Sequence, residues 1–176
     1  MLPLVLRSAL FAFVGVAFFA HWVVFDPSYE ETASQSEWSH VLEFSGLILL
    51  LAIAIPMVAQ LVGGRLALWV SVVAAAGAGL SSIANVFEDG LHMSGVFFVF
   101  ILGAAIMQLG LLALAGVIAF GGRGGYRLLA LVPAGTIAGI ILFVLAGGPI
   151  MLATWLTAAM LALPTRTAVQ VARATA

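Results

Sequence analysis

The side chains able to do chemistry are few, and the histidines among them lie close to acids. His40 precedes Glu43 by three residues, His92 follows Glu88 by four, and His21 lies shortly before an acidic stretch. Imidazole and carboxylate groups bind divalent cations and exchange protons near neutral pH. The chain has no cysteine, which excludes a thiolate nucleophile, a thiolate metal ligand and a disulfide.

Helical spacing relates these residues to their neighbours. Residues three or four apart share a helix face, so Asn85, Glu88, Asp89 and His92 align if the third apolar stretch continues through Gly90. His40 and Glu43 align in the same way. We therefore expect a group of nitrogen and oxygen ligands near one surface. Its candidate members are His21, His40, Glu43, Asn85, Glu88, Asp89 and His92.

The ligand of such a group stays open at this point. A divalent metal suits a set of imidazole and carboxylate ligands. A haem held by His21 and His92, a site that titrates protons, and an organic cation held by carboxylates fit the same residues. In a simpler account, Glu30, Glu31 and Glu37 are solvated in a loop. A hydrogen bond between His21 and Glu43 would then only join two helices.

The composition decides what surrounds these residues. Of 176 residues, 64% are hydrophobic and 7% are charged, and the mean hydropathy is +1.26. An average soluble domain is about 25% charged, so most of this surface must face lipid. A net charge of -1 without a basic tract excludes a nucleic-acid binder, and so much apolar sequence excludes a disordered chain.

Six apolar stretches are long enough, or nearly so, to cross about 30 Å of hydrocarbon as helices. The predicted spans are 4–24, 41–62, 66–87, 93–120, 128–146 and 150–163, with an extracytoplasmic loop at 25–40. The sixth is short. If the first stretch were a cleaved signal peptide, five spans would remain. Cleavage after Ala20 is disfavoured because Phe18, three residues before that site, is bulky where a small residue is needed. We predict an all-α, polytopic integral membrane protein with one transmembrane domain over 1–176.

The arginines predict the orientation of these spans. With a cytoplasmic N-terminus, every basic residue falls on the cytoplasmic side, as the positive-inside rule requires. These topology anchors are Arg7, Arg65, Arg123, Arg127, Arg166 and Arg173. The prediction is a plasma-membrane protein with both termini cytoplasmic and its acids and histidines outside. The bias toward Ala, Gly, Leu, Val and Arg, with no lysine, suggests a bacterium with a GC-rich genome.

The membrane interior holds few polar groups and many small ones. Gln108, near the middle of the fourth span, is expected to bridge helices. The small residues of 74–79 predict a thin third span, and Gly135 with Gly139 predicts a close-contact face on the fifth. No ionisable residue is expected at the midplane, where ion-coupled carriers usually place one.

Two functional hypotheses follow. The first is a protein that binds or transports an ion or small ligand through the histidine and carboxylate group near the extracytoplasmic face. The second is a membrane enzyme that binds a metal or haem, or an auxiliary subunit of a larger membrane complex. No nucleophile motif appears and polar residues are sparse, which argues against an enzyme. The expected partners are the lipid bilayer and either a second copy or another membrane subunit.

Overall fold

Six helices form from the six apolar stretches in the computed structural model, which describes residues 3–24, 37–122 and 124–163. They are α1 Leu4–Val24, α2 Glu37–Val62, α3 Arg65–Asn85, α4 Phe97–Gly121, α5 Leu131–Ile141 and α6 Gly148–Ala162. A helix satisfies its own backbone hydrogen bonds, as hydrocarbon requires. With their flanking turns, all six are long and apolar enough to cross a membrane. The all-helical prediction is confirmed.

Short irregular turns extend four of these helices. A π-helical turn, Val86–Gly90, continues α3, and a 3-10 turn, Ser94–Val96, leads into α4. A 3-10 segment, Gly124–Ala130, precedes α5, and a second π-helical turn, Phe143–Gly147, precedes α6. The sixth spanning segment is therefore 20 residues long, Phe143–Ala162, and reaches full spanning length.

The reversal between α5 and α6 lies earlier than the sequence predicts. The glycines and proline of 147–149 suggest a loop, but the chain turns near Leu142, and Ala146 leaves helical geometry with φ -154°. Pro149 occupies the first turn of α6, where its missing N–H costs nothing. The fifth span therefore ends before 146, because these glycines serve close packing rather than the turn.

Neighbouring helices in the bundle run antiparallel. Gly77 of α3 lies against Met107 of α4, and Ser8 of α1 donates a hydrogen bond to the Ala159 carbonyl of α6 at 2.8 Å. The bundle therefore has two chemically distinct ends. The arginine end carries Arg7, Arg65 and Arg127, and the acidic end carries His21, His40, Glu43, Glu88, Asp89 and His92. Arg123, Arg166 and Arg173 lie outside the described residues.

Small residues bring the helices together where the sequence predicts. Gly77 and Gly103 place the backbones of α3 and α4 in contact. Gly135 and Gly139 receive the side chains of α6 in the same way. Because lipid tails provide no hydrophobic drive for helix association, this close packing is a main source of cohesion in a membrane.

Candidate functional site

A hydrogen bond joins the histidine of α1 to the acid of α2 at the acidic end. His21 Nδ1 lies 2.8 Å from Glu43 Oε1. The sequence brings them together because His21 occupies the last turn of α1 and Glu43 the second turn of α2, at equivalent depths. The hydrogen bond considered from the sequence is therefore present.

The two partners differ in burial. The His21 side chain is 8% exposed and that of Glu43 is 43% exposed. The Phe143 ring lies 5.5 Å from the imidazole, between centroids. Trp22 packs against Gly148, which leaves no space for a side chain there. The end of α1 is thus held against the start of the sixth span, and the imidazole orients a carboxylate that remains accessible.

The opposite face of α2 forms a second polar contact. Asn85 Nδ2 donates to Ser45 Oγ at 3.1 Å, and Ser82 Oγ donates to the Ser45 backbone carbonyl at 2.8 Å. Asn85, Ser82 and Ser45 are all buried. Burying these polar groups without partners would cost free energy in an apolar environment. Their hydrogen bonds to each other avoid that cost and join α2 to α3.

The candidate ligands are consequently divided between two faces of α2. Glu43 and Ser45 are two residues apart, which separates them by about 200° around a helix. Glu43 faces α1, whereas Ser45 faces α3. Asn85 therefore belongs to the contact between α2 and α3 and not to the pair of His21 and Glu43.

The end of α3 departs from the expected helical face. Residues 86–90 form a π-helical turn, closed by a 3.2 Å bond from the Leu91 N–H to the Val86 carbonyl, so the 100° spacing no longer applies. The helix ends there, and His92 has a left-handed backbone with φ 55°. Glu88 is half-buried, while Asp89 and His92 are exposed. His92 does not continue the helix face of Asn85 and Glu88.

Trp38 holds this turn in place. A Cβ at Gly90 would lie 2.7 Å from two atoms of the Trp38 ring, so only glycine lets the ring pack there. His40 is exposed within the first turns of α2, which begins at Glu37 rather than at 41. Within the described residues, no three His, Asp or Glu side chains are close enough together to hold a metal ion. Of the predicted ligands, the structure pairs His21 and Glu43.

The middle of the bundle is apolar and nearly closed. A crevice lies between helices, lined by residues that include Ile55, Leu111, Val132 and Trp155, and it is nowhere wide enough for a water molecule. The Trp155 Nε1 and the Gln108 Oε1 are buried and have no hydrogen-bond partner in the described part of the chain. The expected bridge from Gln108 is therefore not formed through its carbonyl oxygen there.

Three features of the structure differ from what the sequence predicts or are missed by it. Arg7, expected at a cytoplasmic surface, is buried with 5% exposure, whereas Arg65 and Arg127 are exposed. Ser45 was not among the candidates, although its spacing from Glu43 could have indicated a polar contact with the third helix. Phe143 carries no signal, because its approach to His21 depends on the position of the turn before α6.

No protein-family model, no curated protein and no solved structure matches this chain.

Proposed function

We propose that this chain is a bacterial plasma-membrane protein that binds a small cation at its extracytoplasmic end, through Glu43 oriented by His21. The observation that carries the proposal is the 2.8 Å bond from a buried imidazole to a carboxylate that is 43% exposed. Six helices of spanning length support membrane insertion. The gathering of Arg7, Arg65 and Arg127 at one end supports cytoplasmic termini, since basic residues stay inside.

The unequal burial of the pair favours binding over a purely structural bond. The imidazole fixes one oxygen of Glu43, and the second oxygen has no hydrogen-bond partner among the described residues. A fixed, negatively charged oxygen at an accessible position attracts cations, and holding it in place in advance lowers the cost of binding. Asp26, Glu30 and Glu31, which belong to the segment between α1 and α2, add negative charge to the same part of the sequence.

The chemistry of the donors limits the cation. A single carboxylate does not replace a full hydration shell, so the ion keeps most of its water. Binding is also better supported than transport for the arrangement described, since the central crevice would not pass even a water molecule. A small hydrated cation bound at the extracytoplasmic face is therefore the form of the proposal.

Thermal unfolding of the purified protein in detergent tests this proposal. Chlorides of Na⁺, K⁺, Mg²⁺, Ca²⁺, Mn²⁺ and choline are compared at constant ionic strength. A cation present at one hundred times its dissociation constant stabilises the folded state by about 2.7 kcal/mol. We expect at least one cation to raise the unfolding temperature of the wild type and not that of Glu43→Gln.

Two further variants sharpen the result. Glu88→Gln removes a carboxylate at the same end and should leave the cation effect unchanged. His21→Phe keeps a ring against Phe143 but removes the bond to Glu43, so the effect should weaken by about tenfold in affinity, or 1.4 kcal/mol. The proposal fails if no cation in the panel stabilises the wild type more than Glu43→Gln, or if Glu88→Gln abolishes the effect equally.

A further inference from the structure

The arginine end of the bundle carries positive charge that no acidic side chain balances. None of the seven acids in the chain follows Asp89, and none lies between Glu43 and Glu88. The start of α3, with Arg65, and the segment before α5, with Arg127, therefore contain no carboxylate side chain of their own. Neither arginine forms an ion pair within the described residues. The charge at this end is available to an anion from outside the chain.

Arg65 and Arg127 are both exposed and lie on neighbouring elements. Arg127 Nε donates to the Gly122 carbonyl at 2.8 Å, which orients the guanidinium and leaves its other donors without a partner in the described part of the chain. The segment that carries Arg127, Gly124–Ala130, contacts α2, and α2 leads through two glycines to Arg65. Guanidinium N–H groups in such positions bind the oxygens of phosphate groups.

The face of α3 that begins at Arg65, here called the Arg65 face, changes in polarity along the helix as a phospholipid does along its length. Trp69, Val72 and Ala76 follow on this face, since residues three or four apart align, and all are exposed. Trp69, at 64% exposure, is an aromatic residue of the type that lies at the headgroup level. The helix rise places Ala76 about 16 Å from Arg65, close to the roughly 15 Å of hydrocarbon in one leaflet.

We propose that the Arg65 face, with Arg127 beside it, binds an anionic phospholipid. Charge complementarity identifies the occupant, because a headgroup with net negative charge balances the arginines while its acyl chain covers the apolar part of the face. Acyl chains gain little by exchanging one lipid neighbour for an apolar helix, so the headgroup decides which lipid stays. Each arginine near the membrane surface favours an anionic lipid by about fivefold. This binding requires membrane insertion, as the proposed function does, but does not require Glu43.

Quenching of Trp69 fluorescence by brominated lipids in reconstituted vesicles tests the proposal. All vesicles contain the same mixture of phosphatidylglycerol and phosphatidylcholine, and only one of the two lipids is brominated in each preparation. The Trp69 signal is the difference between a protein and its Trp69→Phe variant, because Trp22, Trp38 and Trp155 remain in both. We expect phosphatidylglycerol to associate with the site at Trp69 about fivefold more strongly than phosphatidylcholine.

Substitutions at the same end of the bundle separate a site from general charge attraction. Arg65→Gln should remove most of the preference for phosphatidylglycerol, and Arg127→Gln should reduce it less, because Trp69 shares a helix face with Arg65. Gln60→Ala is the matched control, since Gln60 is exposed near the end of α2 but uncharged. This variant should keep the full preference.

Equal quenching by the two lipids in the wild type would overturn the proposal, and so would a preference that survives Arg65→Gln or falls equally in Gln60→Ala. Loss of the preference in millimolar inorganic phosphate, at constant ionic strength, would assign the arginines to a soluble anion and overturn it too. Glu43→Gln should keep the lipid preference. Failure of the lipid site and failure of the cation site would therefore be seen in different variants and different measurements.

Discussion

Replacing Gly77 with alanine should separate α3 from α4 and destabilise the protein. A Cβ there would lie 2.5 Å from the Met107 backbone nitrogen and 2.7 Å from the Gly103 carbonyl oxygen. Both obstacles are backbone atoms, so no side-chain rotation can relieve the clash. Ordinary contact begins at 3.4 Å, and α4 must therefore move outward by about 0.9 Å.

The cost of that movement follows from what the interface holds. A gap of about 0.5–1 Å forfeits a quarter to a half of the dispersion attraction between facing atoms. It would also stretch the 3.0 Å hydrogen bond from Ser81 Oγ to the Phe100 carbonyl beyond bonding range. Overpacking of this kind costs about 1–3 kcal/mol, and the lost hydrogen bond adds about 0.6 kcal/mol.

Gly79 is the matched control on the same helix. A Cβ at Gly79 meets no atom within 4 Å, so Gly79→Ala should gain up to about 1 kcal/mol from helix propensity alone. The two variants should differ by about 2–4 kcal/mol in the free energy of unfolding, measured by SDS titration of the protein in mixed micelles. Equal stabilities for the two alanine variants would refute the close approach of α3 and α4.

Two further predictions concern the polar contact on α2 and the orientation in the membrane. Ser45→Ala removes the hydrogen bond of the buried Asn85 amide, so SDS titration should show that the free energy of unfolding falls by about 0.6–2 kcal/mol. The control Ser94→Ala, at an exposed site, should leave the free energy of unfolding unchanged. In intact cells, a membrane-impermeant maleimide should label Met93→Cys at the acidic end but not Tyr126→Cys at the arginine end; both sites are exposed. The reverse labelling pattern would contradict cytoplasmic termini.

The sequence predicts the helices well because hydrocarbon imposes one secondary structure on long apolar stretches. The first helix, Leu4–Val24, matches its predicted span. The errors occur where the chain leaves helical geometry, near Leu142 and Gly90. Glycine and proline suggest loops in water, but between membrane helices glycine also permits close contact. Gly147 and Gly148 permit close contact rather than forming a loop, so the turn lies several residues closer to the N-terminus.

The sequence predicts which residues belong to the candidate site, but not which of them contact each other. Depth along a helix follows from the rise of 1.5 Å per residue, so the sequence places His21 and Glu43 at similar levels. Which helices adjoin depends on packing between distant segments, such as Ser8 with Ala159. The sequence therefore indicates that polar groups share one end, and only the fold shows that α2 stands between two separate polar contacts.

The position of α2 explains how the proposed binding site is held. Ser45 fixes α2 to α3 through buried hydrogen bonds, while Glu43, on the other face of α2, is hydrogen-bonded to His21 of α1 and remains 43% exposed. Because these contacts hold the Glu43 carboxylate in place before a cation arrives, little ordering remains to oppose binding. Loss of the bond to His21 alone would therefore weaken cation binding, as expected for His21→Phe.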